Sequence, residues 1–118
     1  GDDFQDSYVA EWWVSDSGAP VNRVMLGEEV TLSRAPLIRF ALNREIEGAK
    51  TLLIKNGVVI HEKKGTTLEF RDSQGGRTKE PAFYRVEVRG SRAHRERWEG
   101  PTMPESELFT NPVFVRYK

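Results

Sequence analysis

The pair Asn56-Gly57 constrains this chain more than any other two residues. It sits between two runs rich in β-branched and aliphatic residues, in the stretch KTLLIKNGVVIHEK from Lys50 to Lys63. Both residues tolerate the positive φ that a type I′ turn needs, so the segment is predicted to double back as an antiparallel hairpin. A two-residue loop pairs Lys55 with Val58, Ile54 with Val59 and Leu53 with Ile60. Leu52, Ile54 and Val59 then share one face, and Leu53, Val58 and Ile60 share the other. Both faces are apolar, so the alternation leaves the core side open here.

The rest of the chain repeats the strand-and-turn rhythm. SYVAEWWV, GEEVTLSR, PLIRFALN, TTLEFRD, AFYRVEVRG and NPVFVRYK each alternate or run apolar over strand-like lengths. Ile38, Phe40 and Leu42 fall on one face of their segment; Leu68 and Phe70 do the same, as do Tyr84, Val86 and Val88. SDSGAP and SQGGRTKEP read as loops. No long segment has a helical period. About seven strands with turn signals between them predict an all-β fold, a two-sheet antiparallel immunoglobulin-like sandwich, with a small barrel as the alternative. The 118 residues make one domain, with a long charged loop over 91–108. Tyr84, at the start of a late strand, resembles the tyrosine corner of such sandwiches, whose hydroxyl ties down a neighbouring loop.

Composition narrows the function classes. Eighteen basic and eighteen acidic residues give a net charge of +0, whereas nucleic-acid modules usually carry a basic excess. The Arg-rich stretch with Arg92, Arg95 and Arg97 is nearly matched by Glu96 and Glu99, so no nucleic-acid partner is expected. No apolar run approaches the length of a membrane helix and no stretch reads as a signal peptide, so no membrane partner is expected. With no cysteine, a disulfide scaffold, a Cys-based zinc site and a thiol nucleophile are excluded. An exported or periplasmic location is slightly favoured over a cytoplasmic one.

Catalytic chemistry finds no foothold. His61 and His94 are the only histidines and lie in different segments, without H-x-H or H-E-x-x-H spacing, so no metal site is expected. No serine lies in G-x-S-x-G. Gly75-Gly76 lacks the Lys-Ser/Thr that completes a phosphate-binding loop. Glu28-Glu29 points to opposite faces of a strand, which does not suit a paired-carboxylate site. No cofactor and no catalytic residue are expected. The aromatics hold more interest. Trp12 and Trp13 are adjacent on a strand, so one should face the core and the other solvent or a partner. Trp98 lies in the charged loop. Trp13, Trp98 and Arg95 are therefore the candidate ligand or interface residues, with a glycan or a protein as partner. Tyr84, Asn56, Gly57, Asn111 and Pro112 are expected to be structural.

The segment from Phe83 to Gly90, FYRVEVRG, followed later by TNPVFV from Thr110 to Val115, resembles the closing strands of PHP-superfamily metallohydrolases of the CehA/McbA type. GEEVTL and LLIKNGVVI resemble the same accessory domain. The resemblance implies a β-sandwich that follows a metal-binding α/β domain with clustered His and Asp ligands, which hydrolyses phosphoester or related bonds. This chain has no such ligand cluster, so the family's catalytic residues have nothing to map onto. What carries over is a non-catalytic accessory sandwich whose partner is a PHP-type hydrolase domain, in cis or in trans.

Overall fold

The computed structural model describes residues 9–17, 29–90 and 108–118. The Asn56-Gly57 turn is present, with φ of 50° and 84° at its two residues. It joins β4 (Lys50–Lys55) to β5 (Val58–Lys64) as an antiparallel hairpin. Lys55 pairs with Val58 and Ile54 with Val59. The expected pairing of Leu53 with Ile60 is not formed: the register shifts, and His61 lies opposite Leu53. This bulge puts one extra residue on the outer strand, a common device at sheet edges. It also turns the imidazole of His61 toward the opposite sheet, where it stacks on Phe70 at 4.5 Å.

Two sheets pack face to face. The smaller has the order β1-β3-β6, formed by Val9–Ser15, Leu37–Leu42 and Thr67–Arg71. The larger has the order β2-β9-β7-β4-β5, with β2 at Glu29–Leu32, β7 at Ala82–Arg89 and β9 at Val113–Tyr117. A two-residue strand, β8 (Leu108–Phe109), pairs with β7 beside β9. The sandwich is therefore mixed rather than purely antiparallel, because β2 runs parallel to β9. The described residues hold nine strands against the expected seven or so, and two of them, β2 and β8, are short.

The core follows the alternation. Ile38, Phe40 and Leu68 of the smaller sheet meet Leu53, Tyr84, Val86, Val88, Val113 and Val115 of the larger. Trp12 joins them edge-on to Phe40. Trp13, its neighbour, faces the other way and is half-buried.

The stretch from Ser73 to Pro81 is not simply a loop. Ser73–Thr78 forms a short helix, α1. The Asp72 side chain caps its start by accepting from the Gly75 N–H, and Lys79 ends it in the left-handed conformation. Glycine at 76 is a packing requirement, because a Cβ there would lie 2.7 Å from the Cα of Ala35.

The TNP stretch has a clear structural task. β8 pairs with β7 at Glu87 and Val88, and β9 pairs with it at Ala82 to Tyr84. Between them the chain steps away, and Thr110 bridges the gap. Its hydroxyl accepts from the Val86 N–H at 3.0 Å, and its own N–H donates to the Val86 carbonyl at 2.9 Å. Asn111 and Pro112 follow as exposed connectors.

Candidate functional site

The densest group of polar chemistry lies where β4, α1, β7 and β9 meet. The Tyr84 hydroxyl donates to Asp72 Oδ2 at 2.5 Å, and Lys55 Nζ reaches the same oxygen at 2.7 Å. Asp72 Oδ1 takes the Gly75 N–H at 3.0 Å. Tyr117 places its hydroxyl against that of Tyr84 without a well-formed hydrogen bond. All of these groups converge over Gly75, where an added Cβ would fall 2.8 Å from Asp72 Oδ2 and about 3 Å from both hydroxyls.

The electrostatics of the group are settled. Burial alone would raise the Asp72 carboxyl, whose side chain is 6% exposed. The hydrogen bonds from Lys55, Tyr84 and the Gly75 N–H outweigh burial and hold it below the ordinary carboxylate range. Burial, then the adjoining Asp72 carboxylate, pushes the Tyr84 hydroxyl far upward, so it stays protonated. Burial and the same charge raise Tyr117 too. A locked carboxylate and a hydroxyl that does not ionise are poor proton-transfer partners near neutral pH. The arrangement joins β4, α1 and β7 instead.

The two residues of the hairpin turn serve the same end of the molecule. Asn56 donates its N–H to the Phe83 carbonyl, and its Oδ1 accepts the Phe83 N–H, both at 2.9 Å. The side chain thus completes the β4–β7 ladder where the backbone turns away.

The other expected site residues are dispersed. Trp13 Nε1 donates to Glu11 Oε2 at 3.1 Å on the outer face of the smaller sheet. Arg39 bridges Glu11 and Glu69 beside it. Trp98, Arg95 and His94 lie outside the described residues, as does the expected loop except Leu108, which belongs to β8. Among the described residues, no three His, Cys, Asp or Glu side chains gather closely enough to hold a metal ion.

Two surface features lie apart from these residues; in the first, the hairpin whose two faces are both apolar gives Leu53 to the core and Leu52 and Ile54 to the outside. On the outer face of the larger sheet, Leu52 and Ile54 lie opposite Glu87 and Arg85, yet they are only 1% and 3% exposed. Phe109 is exposed on the same face, and Phe83 packs its ring on Phe114 at 4.5 Å. The face combines apolar side chains with the Arg85–Glu87–Arg89 row of ion pairs. The second feature is a groove at the far end, lined by Arg39, Glu45, Glu47, Lys63, Lys64 and Glu69. Its cations and carboxylates balance.

No family model, no curated protein and no solved structure matches this chain.

Proposed function

We propose that this chain is a non-catalytic, immunoglobulin-like accessory sandwich of a PHP-type metal-dependent phosphoesterase. It acts by packing against a catalytic domain and positioning it. The observation that carries this reading is the apolar outer face of the larger sheet. Outward positions of a two-layer sandwich are ordinarily wet and polar. Here Phe83 and Phe109, each about half exposed, and the half-buried Phe114 occupy them, beside the covered Leu52 and Ile54, which suits a face that meets another protein surface. The strand order supports the immunoglobulin-like part. β1, β3 and β6 take the places of strands A, B and E, and β9, β7, β4 and β5 take those of G, F, C and C′. The Tyr84–Asp72 bond lies where a tyrosine corner would be.

The glycan reading has less support. Trp13 has its indole N–H committed to Glu11, and Arg39 is committed to Glu11 and Glu69. The polar groups that would read a sugar beside that ring already have partners.

The chain alone is expected to show no phosphodiester turnover with zinc or manganese and no tight metal binding by calorimetry. Tight binding accompanied by turnover would overturn the reading.

A further inference from the structure

Among the described residues, one end of the sandwich carries a surplus of cations. That end gathers the β4–β5 turn, α1, the β2–β3 connection and the end of β9. Lys55 joins the first two through Asp72 at 2.7 Å. Asp72 N–H donates to the Pro36 carbonyl, and Lys118 N–H to the Leu32 carbonyl. Within this end, Lys55 and Asp72 cancel, as do Arg116 and Glu29. What remains among the described residues is Arg34, Arg71, Arg77, Lys79 and Lys118 against Asp16 and Glu80, all exposed except the half-buried Asp16. Asp16 is engaged as well, accepting from the N–H groups of Ser33 and Arg34. At the opposite end, the charges lining the groove among the described residues balance.

Exposed apolar side chains collect at the same end. Val58 is 63% exposed immediately after the turn, and Val59 follows it at 44%. Phe83, bound to the turn through Asn56, is 51% exposed. An apolar projection with a cationic surround is the combination that holds proteins on the surface of anionic bilayers.

We propose that this end docks peripherally on an anionic lipid bilayer. Val58, Val59 and Phe83 enter the interfacial layer, while Arg71, Arg77, Lys79 and Lys118 meet headgroup phosphates. Charge complementarity selects an anionic surface, and the apolar residues select a bilayer among such surfaces. A nucleic acid offers no apolar phase for two valines beside a turn. A stable protein interface needs on the order of 800 Å² of matched surface per partner, more than three side chains supply. The proposal goes beyond the accessory-domain reading: it engages the turn end of the sandwich, whereas that reading engages the outer face of the larger sheet, so either can fail without the other.

The test is co-sedimentation of the whole chain with phosphatidylcholine vesicles, with and without about one-third phosphatidylglycerol, at about 50 and about 300 mM salt. Binding is expected to the anionic vesicles only, and to weaken about tenfold or more at the higher salt. Arg77→Glu with Lys79→Glu, and separately Val58→Ser with Val59→Ser, should each weaken it about tenfold. Circular dichroism checks that these surface variants fold. Failure of the unaltered chain to bind anionic vesicles overturns the proposal, whatever the variants do. So does equal binding to neutral vesicles, or retention on polyglutamate or duplex DNA without retention on vesicles.

Discussion

At the scale of residues, Asp72 has the largest consequence. Its carboxylate is buried and takes hydrogen bonds from Lys55, Tyr84 and the Gly75 N–H, so its pKa is lower folded than unfolded. A group of that kind stabilises the fold fully above its unfolded pKa of about 4, and the contribution is lost as pH falls through the lower folded value. Asp72→Asn should therefore destabilise the protein by about 2 kcal/mol at neutral pH, since it leaves the half-buried Lys55 without its counter-charge. The gap between variant and parent should narrow on acidification toward pH 3 and below. Urea midpoints measured across that range check both statements, and a gap that widens in acid would contradict the sign. Little of this was legible in the sequence. Tyr84 could be singled out from its place on a strand. Its partners come from residues 12 positions earlier and, through Asp72, from Lys55 on another strand, and nothing local links them.

At the scale of elements, the alternation was legible wherever pairing is local. The Asn56-Gly57 turn sets its own hairpin because both residues adopt positive φ. The bulge beyond it was not legible, because the choice between Ile60 and His61 opposite Leu53 depends on what the other sheet offers, and Phe70 offers a ring face. α1 escaped for another reason: six residues with two glycines carry no helical period, and only the Asp72 cap signals a start. The parallel β2–β9 pair joins segments far apart in the chain, Glu29–Leu32 and Val113–Tyr117, which no local pattern encodes. Thr110 shows what such a long-range junction needs. Its hydroxyl is the partner of the buried Val86 N–H where β8 gives way to β9. Thr110→Val keeps the shape and orphans that N–H, so it should cost about 1–3 kcal/mol. Thr110→Ser keeps the hydroxyl and should cost much less. Thermal unfolding of the two variants separates loss of the hydrogen bond from loss of volume.

At the scale of the whole molecule, a net charge of +0 is a sum, and a sum does not show where charges sit. The cationic end became visible only when Arg34, Arg71, Arg77, Lys79 and Lys118 were placed together by contacts spanning most of the chain. Burial, by contrast, could be read in advance, because a strand that alternates must put one set of side chains inside. Both sheets give that set to one shared core, with Phe40 at the centre of the smaller sheet, wholly buried and edge-on to Trp12. A shared core makes the two sheets unfold together, since neither keeps its buried face without the other. Phe40→Ala removes a large ring from both sheets at once and should cost about 3–5 kcal/mol. The urea midpoint should fall with little change in slope. Tryptophan fluorescence and far-ultraviolet circular dichroism should still trace one coincident transition. Two separated transitions, in the parent or the variant, would mean that the sheets are independently stable and that the single shared core is wrong.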